Sequence, residues 1–123
     1  MLEMALVLPL FTMLLVGMVE FGRVLMVKQV ITNAAREGAR TGAVNLNDTQ
    51  ALATAKSTAQ NYITSSGVDL EPTNVTSSFV TTGGSPGLQV IVDYTYDSLL
   101  TNWVPGIPNN FILRSTAIMR RES

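Results

Sequence analysis

The sequence predicts an α+β protein: a long N-terminal apolar/amphipathic helix, a second helix, and a three-stranded antiparallel sheet packed on the helix pair. Three observations lead there. Sixteen residues, Met4 to Val19, carry no charge between Glu3 and Glu20, and they run without a break into a stretch of helical periodicity. A polar cap at Asn47-Asp48 then opens a second periodic segment that a glycine closes. Two runs in the last third alternate apolar and polar residues, the pattern of half-buried strands. The expected division is residues 1–44 as an N-terminal membrane or filament-core helix and residues 45–123 as a small α+β head domain.

The first element is read as one helix over roughly residues 2 to 43, ended by Asn45-Leu46-Asn47. Its apolar run lacks the basic start and small-residue cleavage site of a signal peptide, since the first charge is Glu3 and Gly17-Met18-Val19-Glu20 cuts poorly. Sixteen helical residues rise about 24 Å, short of the roughly 30 Å hydrocarbon core. Phe21, Val24, Leu25 and Val27 could lengthen the run, but Arg23 and Lys28 interrupt it. Pro9 removes a backbone donor and would loosen a helix interior unless neighbouring helices compensate. A single membrane anchor is the simplest reading of this stretch.

From Phe21 onward apolar residues recur at helical spacing through Val24/Leu25, Ile31, Ala34/Ala35 and Gly38/Ala39. Ala34, Gly38 and Gly42 stand four apart, as do Ala35, Ala39 and Ala43. Small residues at that spacing let another backbone approach closely. The approaching backbone belongs either to another subunit or to the chain's own head, where alanine simply favours helix.

The remaining elements follow in order. Thr49 to Ser66 reads as the second helix, with Leu52, Ala55, Ala59, Tyr62 and Ile63 as its apolar side and Gly67 as its stop. Asn74 to Thr82, rich in Thr, Val and Phe, reads as a strand, and Gly83-Gly-Ser-Pro-Gly87 as a turn. That glycine cluster has neither the lysine nor the helix of a phosphate loop. Leu88, Val90, Val92, Tyr94 and Tyr96 point one way along the next strand. After a loop holding Trp103, the alternation resumes at Phe111, Leu113, Ser115, Ala117 and Met119.

Composition narrows the function classes. The chain has 123 residues, a net charge of −1 and 14% charged residues, so it builds no basic field for nucleic acid. It contains no His and no Cys, which excludes His/Cys metal sites, thiol chemistry, disulfides and any Ser-His-Asp arrangement. Asp93 and Asp97 lie about 13 Å apart on a strand, too far for a glycosidase pair. Asp69 and Glu71 offer too few oxygens for calcium. Asn47-Asp-Thr49 and Asn74-Val-Thr76 fit the glycosylation pattern, a triplet that also arises by chance. Trp103 is a core residue or a loop anchor for a partner. No catalytic, metal or cofactor residue is expected, and no enzyme activity.

Three segments also resemble a family. Glu3-Met-Ala-Leu-Val-Leu-Pro9, Gly17-Met-Val-Glu20-Phe-Gly-Arg23 and Asn33-Ala-Ala-Arg-Glu-Gly-Ala-Arg40 look like TadE-like pilins of tight-adherence (Tad) pilus systems. The β-rich end, with Tyr94, Pro105 and Ser115-Thr-Ala-Ile-Met-Arg120, is similar in kind. The resemblance implies a pilin-like fold and a prepilin-type history. Such a chain enters the inner membrane by its apolar helix, is trimmed by a prepilin peptidase, and is drawn by pilus assembly machinery into a surface filament of its own copies. Glu3 matches the motif's glutamate but stands closer to the start than the pattern places it. Either two mature residues are missing before it, or the cut falls elsewhere, or Met1 is a shortened start. The basic residues Arg23, Lys28, Arg36 and Arg40 all follow the apolar run, which by the positive-inside rule would keep the head in the cytoplasm. A removed basic leader would restore the outward orientation.

Glu3 carries a physical argument beside the resemblance. A carboxylate leading an apolar helix is costly to bury without a positive partner. In a bundle of identical chains that partner is the free α-amine of a neighbour. In water or among headgroups, Glu3 would instead favour the positive end of the helix dipole. The assembly residues expected are therefore Glu3, Pro9, Glu20, Ala34, Ala35, Gly38, Ala39 and Gly42. Two functions compete: a structural subunit of an extracellular filament, major or minor, and a membrane-anchored surface or periplasmic domain that binds through its loops.

Overall fold

A computed structural model describes residues 1–67, 73–97, 106 and 110–121. Trp103, Pro105, Asp69 and Glu71 lie outside the described residues, as do the side chains of Asp97 and Phe111. The elements are α1 (Leu2–Val44), α2 (Asp48–Ser65), β1 (Thr73–Thr82), β2 (Ser85–Asp97) and β3 (Asn110–Arg120). The three strands form one antiparallel sheet in the order β1-β2-β3, with Val75 opposite Val92 and Val92 opposite Ser115. The fold is the α+β arrangement expected.

Local signals set the boundaries. α1 runs unbroken through Pro9 and ends where Asn45 turns extended, its N–H donating to the Gly42 carbonyl at 3.1 Å. Asn47 caps α2 by accepting from the Thr49 N–H at 3.2 Å, which leaves Asp48 in the first turn, where a carboxylate complements the helix dipole. Gly67, at φ +76°, follows the helix in a left-handed conformation that only glycine adopts cheaply. The β1–β2 turn is tighter than the five residues expected. Gly83 and Gly84, at φ +59° and +79°, form a two-residue turn, and Ser85, Pro86 and Gly87 already pair with Thr82, Thr81 and Val80. Two consecutive left-handed residues match the twist of a hairpin, so the strands start at once.

One core joins all the elements. Val27, Ile31, Ala34, Ala35 and Ala39 of α1 meet Ala51, Ala55, Ala59 and Ile63 of α2 over Val75, Leu88, Val90, Val92 and Tyr96 of the sheet. The core is thus built across position 44/45, and the C-terminal half of α1 is its central strut. Two expectations about helix faces change. Phe21 and Leu25 are exposed, and the buried face of α1 runs instead through Glu20, Val27, Ile31 and Gly38. On α2 the inner row is Ala51, Ala55, Ala59 and Ile63, while Leu52 packs at the margin and Tyr62 is exposed. Close helix packing selects the small-residue stripe for the interior, and larger apolar residues move to its rim.

Candidate functional site

The N-terminal half of α1 projects from the rest of the molecule. From Met1 to Val19 every residue but Gly17 is exposed, and none of the helix's most apolar 18-residue window is buried. Glu3 lies in the first turn and Pro9 within this stalk, both exposed among the described residues. A helix this apolar cannot stay in water, because exposing large hydrophobic side chains along its whole circumference forfeits roughly 25 cal/mol per Å². The stalk therefore has a lipid or protein environment.

The stalk joins the head at Glu20, the first residue of α1 to be buried. Its carboxylate faces the hydroxyl end of Tyr96, which is itself only 2% exposed. Burial first, and then the neighbouring Glu20 carboxylate, raise the Tyr96 pKa above its ordinary value. Arg23, one turn on, brings its guanidinium to 3.9 Å from Glu20 and lies 6.0 Å from the centre of the Tyr96 ring. Tyr94 meets Tyr96 edge to face, with centroids 6.3 Å apart. A buried charge is tolerated only with such partners, so the junction is built and not incidental.

Two further ties hold α1 along β3. Lys28 donates from Nζ to the Arg114 carbonyl, and Ser115 Oγ donates to Thr32 Oγ1 at 3.0 Å. The lysine satisfies a carbonyl on the edge of the sheet, where an open group invites pairing with another strand. On the outer face of the sheet, Arg114 grips Asp93 at 2.7 and 3.1 Å, which occupies the carboxylate considered for chemistry.

The small-residue row has its partner inside the chain. A side chain at Gly38 would come within 2.6 Å of the Ala55 carbonyl oxygen, and one at Gly42 within 2.7 Å of the Ala55 Cβ. Ala34, Ala35 and Ala39 are fully buried beside them. The close approach that these residues permit is made by α2, which leaves the row no surface for another subunit. Glu3, Pro9 and Glu20 are not brought together with it. Three contacts escaped the sequence: Tyr96 on Glu20, Lys28 on the edge of β3, and Arg121, which donates to Asp48 Oδ1 and to the Asn45 carbonyl. A carboxylate and a cation three residues apart on an otherwise apolar face, Glu20 and Arg23, is the one signal that could have flagged the first. The two glycosylation triplets diverge: Asn47 is engaged as the α2 cap, and Asn74 is exposed near the start of β1.

Comparison with known proteins gives one match. No curated protein and no solved structure matches the chain. The family model described as TadE-like protein matches residues 1–40. Those residues contain all three N-terminal motifs, the stalk and its junction with the head. The N-terminal helix of this chain is thus similar to that of TadE-like proteins, the family its three motifs resemble.

Proposed function

We propose that the chain is a structural subunit of an extracellular Tad-like filament, held in the inner membrane by its stalk before assembly and polymerising through it afterwards. The observation that carries this reading is the stalk: an unburied apolar helix, continuous with the helix that forms the spine of the head. A long rigid helix of this kind serves lipid and protein surroundings alike, because an apolar side chain has little preference between lipid tails and a packed bundle. In the filament the stalks form the core and the sheets lie outside. Glu3 then neutralises the α-amine of a neighbouring stalk, while prepilin peptidase and the assembly machinery act on the membrane form. The role is structural, not catalytic.

Electron microscopy of sheared surface material, with mass spectrometry of its subunits, tests the proposal. Filaments containing this chain as a stoichiometric component support it. A chain that stays in the membrane fraction as a monomer overturns it and leaves the anchored binding domain.

A further inference from the structure

The outward stripe of α1 changes character at one level. Leu15, Met18, Gly22 and Leu25 succeed one another at spacings of three and four residues, and Gln29, Asn33, Arg36 and Arg40 continue the same line. Apolar residues give way to polar ones between Met26 and Lys28, seven residues past the end of the charge-free run. Within those seven, Glu20 is hidden beneath Tyr96, and Arg23 is turned toward Glu20 and the Tyr96 ring. Facing away from them, Phe21, Leu25 and Met26 are each about half exposed or more. The head thus removes Glu20 from the helix surface and draws the half-exposed Arg23 guanidinium toward it.

We infer that the lipid-embedded span of α1 extends past Glu20 to Met26 on the side facing away from the head, so that the stalk-proximal end of the head, with Tyr96 over Glu20, is sunk into the bilayer's interfacial layer. Length is the first argument. Met4 to Val19 covers about 24 Å, which leaves a roughly 30 Å hydrocarbon core unfilled. Met4 to Met26 covers about 34 Å, enough to cross it with a modest tilt. Shape is the second. Met18, Val19, Phe21, Leu25 and Met26 spread over the whole side of the helix not covered by the head, where a single partner helix needs only a stripe. Charge is the third. Arg23 has a long stem that can lie along apolar surface, and Lys28 at the boundary is already committed to the Arg114 carbonyl. The occupant of this surface is lipid, and the inference rests on the membrane-anchored stage of the function proposed above.

The absence of cysteine from the chain makes the test direct. Single-cysteine variants Met13→Cys, Gly22→Cys, Met26→Cys and Arg36→Cys are placed one chain per lipid nanodisc and treated with a charged maleimide. Gly22 has open space around it, so its substitution leaves the fold intact. Maleimide consumes the thiolate, a form that lipid burial suppresses, so positions 13, 22 and 26 are expected to react at least about ten-fold more slowly than position 36. If 22 and 26 react as fast as 36 while 13 stays protected, the span ends near Val19; the anchor stands and the extension fails. If 13 reacts fast too, the membrane-anchored stage itself is wrong. Protection of 22 and 26 that arises only with several chains per disc assigns the surface to a second copy and overturns the inference.

Discussion

Gly38 decides how closely α1 and α2 approach. With a carbonyl oxygen 2.6 Å from where its Cβ would stand, even alanine forces the helices apart, and a backbone atom cannot swing away as a side chain could. Gly38→Leu is expected to destabilise the head by about 1–3 kcal/mol or more, read as a lower denaturant midpoint for the full chain in micelles. A midpoint equal to the wild type's would mean that α2 does not pack there. Tyr96 poses a sharper electrostatic question, because its hydroxyl serves a buried carboxylate. Removing it in Tyr96→Phe should cost about 1–3 kcal/mol, as the buried Glu20 carboxylate loses the polar group that faces it and water cannot replace it. The raised pKa of Tyr96 also fixes a pH dependence. Its neutral form is favoured in the folded state, so its contribution is complete below the unfolded value of about 10 and is lost as pH rises from there through the folded value. Absorbance titration should show one of the three tyrosines ionising later than the others, and Tyr96→Phe should abolish that late step. Three tyrosines titrating together in the wild type would contradict the buried pairing.

At the scale of elements, the chain's last described residue closes the head. Arg121 donates to Asp48 Oδ1 at 2.9 Å and to the Asn45 carbonyl at 2.8 Å, and its guanidinium lies 4.8 Å from the centre of the Phe79 ring. It ties the end of β3 to the α1–α2 connection and to β1 at once. Asp48 is three-quarters exposed, so that ion pair contributes little; the carbonyl bond and the stacking on Phe79 carry more. Arg121→Ala is expected to cost about 1–3 kcal/mol. Arg121→Lys should recover only a minor part, since an ammonium cannot stack and bridge two acceptors in a fixed plane. Full rescue by lysine, in thermal unfolding, would show that charge alone suffices. The two glycines of the β1–β2 turn act at the same scale, letting β1 and β2 pair from Thr82 and Ser85 onward.

Across the whole molecule, what was legible in the sequence is what repeats. The periodicity of α1, the alternation of β2 and the stop at Gly67 are local signals, and each element stands within a few residues of where they place it. The charge-free run likewise announced a stalk. Pairings between distant segments were not legible. Nothing near Glu20 in the sequence points to Tyr96, seventy-six positions away, and the spacing of Gly38 and Gly42 records that a backbone comes close without saying whose. The structure answers for the glycines with α2, so the filament proposed above must be held by the stalk, and Glu3 is the residue to test. In a bundle of stalks Glu3 leaves water, and a carboxylate there requires a cation. The neutral isostere keeps shape and hydrogen bonding and removes only the charge. Glu3→Gln is therefore expected to insert in the membrane as the wild type does, or slightly more readily, while its filament yield falls at least about ten-fold, the consequence of some 1.4 kcal/mol lost per subunit contact. Membrane fractionation beside quantification of sheared filaments separates the two effects. Wild-type filament yield from Glu3→Gln would remove the carboxylate from assembly, and loss of insertion would place its role in the bilayer instead.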